Sequence, residues 1–162
     1  MAEAMVEILL VEDDLNDEKL ALHAFEKFNI RDSVHVVRDG AEALEYVFCT
    51  GAYSDRKIED LKVILLDLKL PTVHGLEVLR QIRSDPRTKA LPVVVLSSSN
   101  EERDLVESYK LEITSYIIKP VDFEHFDLFA RHLGHMWLVL NHQSISEEGK
   151  LPAFSGLAST RS

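Results

Sequence analysis

Branched apolar residues occur along this chain in short runs, each cut off by an acidic, turn-forming or capping residue. Glu7–Val11 (EILLV) is halted by Glu12, Asp13 and Asp14 and predicts a buried strand. From Asn16 to Phe28, the positions Leu20, Ala21, Ala24, Phe25 and Phe28 have the spacing of one helical face. Val34–Val37 predicts a second strand, Asp39-Gly40 a turn, and Ala41–Phe48 a helix. The polar, glycine-bearing stretch Cys49–Asp60 predicts a loop longer than usual. A third strand is expected at Val63–Leu66, ended by Asp67, and then a helix over Gly75–Arg83 carrying Leu76, Leu79 and Ile82. Pro92–Leu96 (PVVVL) predicts a fourth strand followed by Ser97–Ser99, with Asn100 capping a helix over Glu101–Leu111. Ser115–Ile118 is the last expected strand. Lys119-Pro120 follows it, and Asp122 can cap a final helix running to about Leu140.

Five strands alternating with five helices, the strands nearly continuous in apolar residues, imply an α/β fold. Its expected centre is a doubly wound five-stranded parallel sheet covered on both faces. The domain is expected over residues 6–141. Residues 142–162, rich in Ser, Glu and Gly without periodicity, form an expected flexible tail. A sheet of this kind binds ligands at the carboxyl ends of its strands, so chemistry is sought there.

Composition narrows the classes. The 162 residues are 46% hydrophobic and 28% charged, an ordinary balance for one globular domain. No apolar run approaches the roughly 20 residues that span a bilayer, and the strand pattern begins too early for a signal peptide. The lone Cys49 excludes an internal disulfide and fits a reducing compartment, so the cytoplasm is the expected location. A formal net charge of −10, with no Lys/Arg cluster, argues against nucleic acid as a partner.

The residues at the strand ends carry the chemistry. Glu12, Asp13 and Asp14 follow the first strand, Asp67 the third, Ser97 the fourth and Lys119 the fifth. In a parallel sheet all of these emerge at one edge. Carboxylates crowded there repel one another; a divalent cation relieves the repulsion, and hard oxygen ligands select magnesium. Lys119 supplies a point charge suited to a phosphate oxygen, and the Ser97 hydroxyl can donate to another. The set amounts to a phosphoryl-transfer site with Asp67, standing alone between Leu66 and Leu68, as nucleophile. Taken singly, each residue has a plainer reading. Asp13 and Asp14 can cap the first helix, Asp67 can be a loop acid, Lys119 a surface lysine and Ser97 a loop serine.

The segments ILLVEDD (Ile8–Asp14), ILLDLKLPTVHG (Ile64–Gly75), PVVVLSSS (Pro92–Ser99) and YIIKP (Tyr116–Pro120) resemble the receiver domains of bacterial response regulators. The resemblance implies phosphorylation of Asp67 by a histidine kinase. It implies magnesium held by Asp13, Asp67 and the backbone carbonyl of Lys69, with Glu12 acting through water. It further implies phosphoryl contacts from Ser97 and Lys119, a cis Lys119-Pro120 bond, and a switch in which Ser97 moves and Tyr116 rotates. The Gly51–Leu61 loop, the Ser84–Ser99 stretch and Trp137-Leu138 are similar to the small regulators paired with bacterial and cyanobacterial phytochromes. Departures from the pattern are Ser97 for threonine, Leu70 for methionine, and His74 for an acidic or small polar residue.

Two other classes share the fold. An aspartyl-phosphate phosphatase carries a second Asp two residues beyond its nucleophile as general acid, where this chain has Lys69. A flavodoxin-like carrier needs a Ser/Thr/Gly loop for a flavin phosphate, which Glu12–Asp14 would repel. The final helix carries His125, His132 and His135, and the last two have chelating spacing. Without cysteine or carboxylate around them, a solvated face is the better reading. The same helix has Phe126, Phe129, Leu133, Met136 and Leu140 on one stripe. Leu128, Trp137, Leu138 and Val139 lie off it, more apolar surface than one core face buries. A homodimer through this helix is expected, unless Leu151, Phe154 and Leu157 of the tail fold back over it. The residues after it are too few for a DNA-binding unit. The chain therefore reads as a phosphoacceptor switch rather than an enzyme, its output a contact with a downstream protein.

Overall fold

A computed structural model describes residues 7–97, 106, 110–118, 127, 128, 130 and 131. Five parallel strands form one sheet: β1 (Glu7–Val11), β2 (Val34–Val37), β3 (Leu61–Asp67), β4 (Val93–Ser97) and β5 (Ser115–Ile118). Their spatial order is β2-β1-β3-β4-β5, the doubly wound, flavodoxin-like arrangement expected from the sequence. Three helices lie wholly among the described residues: α1 (Leu15–Lys27), α2 (Gly40–Phe48) and α3 (Gly75–Ser84). Val106 and residues 127, 128, 130 and 131 are also helical, within the stretches where the last two helices are expected. The Asn100 and Asp122 caps, the Lys119-Pro120 bond, the 142–162 tail, His125, His132, His135 and the apolar residues beyond Arg131 lie outside the described residues.

The apolar runs are buried strands because alternate residues feed two separate cores. Ile8, Leu10, Val63, Leu65, Val94, Leu96 and Ile117 meet Ala21, Ala24 and Phe25 of α1, together with Ala130. Leu9, Val11, Ile64, Leu66, Val93, Val95 and Tyr116 face Ala43 and Val47 of α2, Val78, Leu79 and Ile82 of α3, and Val106. Each fully buried branched side chain stabilises the sheet by roughly 1.5–3 kcal/mol, so the two cores fix the register.

Strand and helix bounds shift slightly from the sequence pattern. β3 starts at Leu61, because Lys62 alternates outward in a strand whose other residues are buried. Pro92 precedes β4: it has no N–H for the ladder, although its carbonyl accepts from Ile64 N at 3.0 Å. The stretch Cys49–Asp60, read as loop, contains two short 3₁₀ turns, Gly51–Tyr53 and Ile58–Asp60. It is strapped down by Arg56, whose guanidinium bonds Glu7 and the Tyr46 carbonyl and sits 3.7 Å from the Tyr46 ring centroid. Cys49 is a free thiol. Among the described residues no helix is long and apolar enough to cross a membrane.

Candidate functional site

The carboxyl edge of the sheet gathers the acids. The Glu12 backbone extends β1 by one bond, donating to Val37 O at 3.0 Å. Its side chain folds back to accept from Asp14 N at 3.1 Å. Asp14 in turn caps α1, accepting from Asp17 N at 3.0 Å, so the plainer reading of that residue holds. Asp67 is the last residue of β3, and its Oδ1 accepts from Lys69 N at 3.1 Å. Glu12, Asp13 and Asp67 each place one carboxylate oxygen within 4.8 Å of the others.

Burial gives the trio its chemical character. Glu12 is 1% exposed and Asp67 3%, whereas Asp13 is open to solvent. Negative oxygens crowded in a dry site repel one another, and desolvation compounds the cost. Three hard oxygen donors, one of them reachable from solvent, fit a small divalent cation such as magnesium and offer nothing to a thiophilic metal.

The other expected residues are placed in part. Register pairs Asp67 with Leu96 and Ser97 with Ile118, so the Ser97 backbone ends β4 one residue beyond the level of Asp67. The Ser97 side chain and all of Lys119 lie outside the described residues. Lys69 is exposed, at the start of the loop leaving Asp67. Tyr116 is 7% exposed within the core on the α2 side of the sheet, more buried than an ordinary half-exposed strand aromatic.

Sequence reasoning noted His74 only as a departure from the pattern and passed over the roles of Thr72 and Gly75 in the Leu68–His74 loop. Gly75, at the start of α3, donates to Leu68 O at 2.8 Å, and a Cβ there would lie 2.6 Å from Leu68 Cα. His74 caps α3, its Nδ1 accepting from Leu76 N at 3.1 Å, so an imidazole does the work of the more usual acid. Thr72 sits at φ 71°, a left-handed value rare for a β-branched residue. The Asp39-Gly40 turn signal was visible. What it hid is that Asp39 is a cap, accepting from Glu42 N at 2.8 Å, and that Gly40 is already helical.

A parallel doubly wound sheet with an acid trio at its carboxyl edge, centred on a strand-terminal aspartate, belongs with the α/β domains whose strand ends suit a divalent cation. This chain belongs to the response regulator receiver domain family, whose family model matches residues 8–130. Among curated relatives, the probable methanogenesis regulatory protein FilR2 of Methanothrix harundinacea is 38% identical, over 83% of this chain and 84% of its own. Response regulator Rcp1 of Synechocystis is 34% identical over 81% and 88%. The solved bacteriophytochrome response regulator AtBRR is 47% identical with a TM-score of 0.68, covering 78% of this chain and 90% of that one. The phosphorylated cyanobacterial phytochrome response regulator RcpA is 38% identical with a TM-score of 0.70, covering 83% and 94%. An Mn(2+)-bound form of Rcp1 aligns with a TM-score of 0.70 at 32% identity, covering 91% and 99%.

Proposed function

We propose that this chain is a single-domain response regulator that accepts a phosphoryl group from a histidine kinase on Asp67. The observation that carries the reading is the trio itself: a buried aspartate at a strand end, with Glu12 and an exposed Asp13 within 4.8 Å. A carboxylate oxygen of Asp67 forms the new P–O bond. The bond from phosphorus to the donor's imidazole nitrogen, or to an acyl oxygen of a small donor, breaks, and its electron pair leaves with the donor. Asp13, Asp67 and the Lys69 carbonyl would hold magnesium, with Glu12 acting through water, and the bound ion would supply the positive charge that lets anions meet. Lys119 and Ser97 hold phosphoryl oxygens, and the added charge of nearly −2 is read as a shift of Ser97 and Tyr116.

Because phosphoacceptance is the family's role, the chain acts as a switch rather than as an enzyme turning over a separate substrate. A phytochrome-type kinase is the proposed input, supported by the names of AtBRR and RcpA. A downstream protein, met in the cytoplasm, is the proposed output. The receiver unit is taken as residues 6–141 with a tail over 142–162, and a homodimer through the final helix is proposed. Incubation with acetyl phosphate and Mg2+ tests the core of this. Wild type should gain one phosphoryl mass; chelation of the metal or Asp67→Asn should abolish it, and equal labelling of that variant would overturn the assignment.

A further inference from the structure

We infer that Gly40 is a positioning residue for the cation and phosphoryl chemistry proposed at Asp67. Lacking a side chain, it lets the start of α2 press against the Leu68–His74 loop and hold the backbone next to the acid trio. The inference rests on the reading of that trio given above.

The loop has to reverse direction at once after Asp67, and three bonds shape it. Lys69 N donates to Asp67 Oδ1 at 3.1 Å, and Gly75 N donates to Leu68 O at 2.8 Å. Between them, Val73 N donates to Pro71 O at 2.8 Å across Thr72 at φ 71°. A three-residue turn with positive φ is a rare, strained geometry, and a β-branched residue suits it poorly. Such strain persists only where the surroundings impose it.

Gly40 is that surrounding. Its N–H donates to Pro71 O at 3.2 Å, a second donor on the carbonyl that closes the turn. A Cβ on Gly40 would stand 2.7 Å from the Val73 carbonyl carbon and 2.8 Å from Val73 Cβ, with Val73 O nearer still. Two of these three atoms are backbone, so rotating a side chain cannot make room. A methyl group at this position would have to push the 71–73 turn away from α2. The same short loop carries the Lys69 carbonyl and the N–H that orients Asp67, so the displacement reaches the donors of the cation site.

The test is Mg2+ or Mn2+ affinity by calorimetry on the full chain. Gly40→Ala should bind the ion more weakly by about 10–100-fold, as outer-shell changes at metal sites do. Arg56→Ala, which loosens the distant strap, should melt earlier yet bind as wild type does. Wild-type affinity in Gly40→Ala would overturn the inference while leaving the trio intact. A wild type that binds no ion, or binds it equally after Asp67→Asn, would overturn the site itself and the inference with it. Should Gly40→Ala not fold, amide NMR of the wild type decides. On saturation with Mg2+ the Gly40 and Val73 resonances should move with that of Lys69 while Gly51 stays; an unmoved Gly40 would overturn the inference.

Discussion

Single residues in this domain do work that their type alone does not announce. His74 stands where a receiver usually carries an acid or a small polar residue, and the structure explains why the exchange is tolerated. Nδ1 accepts from Leu76 N, so α3 keeps its cap. His74→Ala should then destabilise the fold by about 0.5–2 kcal/mol, and His74→Asp should restore most of it in a urea melt. Glu18 is another case. It lies on the buried side of α1 and is held by Arg38 at 2.8 Å, tying α1 to the start of the β2–α2 connection. The acid trio was legible residue by residue because strand ends in a parallel sheet are forced to one edge. Gly40 was not legible: its importance lies in what a missing methyl allows against a loop more than thirty residues further on.

At the scale of elements, strands were readable and the long loop was not. Apolar runs report burial locally, so every strand was found within two residues of its observed bounds. The 49–60 loop is ordered instead by partners distant in sequence, chiefly Glu7 with Arg56, and local pattern carries no trace of them. Arg56→Ala should cost about 1–3 kcal/mol by removing the charged donor of Glu7 and one of the donors to the Tyr46 carbonyl. Arg56→Lys should recover little, since it cannot both fork and stack. The same strap should depend on pH. Burial pushes the His35 imidazole below 6.5, and burial with donation to Glu42 pushes the Tyr53 phenol up to about 12. A lowered imidazole contributes stability that is whole above pH 6.5 and lost as pH falls through its folded value. A raised phenol contributes stability that is whole below pH 10 and lost as pH climbs towards 12. The loop should therefore hold best between these limits, and the protection of residues 51–60 against amide exchange, taken relative to the intrinsic rate at each pH, should fall on either side. Tyr53→Phe should weaken the alkaline dependence without removing it, because burial and Glu7 also push the Tyr46 phenol up.

Among the described residues one sheet separates two cores, and the acid trio lies at its carboxyl edge. The fold class followed from the alternation of apolar runs with amphipathic helices. The gathering of Glu12, Asp13 and Asp67 followed from topology, and likeness to known proteins places the chain in the receiver family on independent grounds. Association belongs to this scale too. Trp137 and Leu138 are expected on an exposed apolar face of the final helix, so sedimentation should show a wild-type dimer. Trp137→Glu with Leu138→Glu should leave a monomer, and a wild type monomeric at high micromolar concentration would contradict the proposed pairing. Lys119→Ala should still accept some phosphate while losing the partner contact that phosphorylation induces.

The most direct measurement locates the phosphate. Phosphorylated chain reduced with borohydride converts an acyl phosphate at aspartate into homoserine, which peptide mass spectrometry assigns to a position. The account predicts homoserine at position 67, formed only from samples treated with Mg2+ and a phosphodonor. Homoserine at Asp13, or none at all in a sample that carries phosphate, would contradict it.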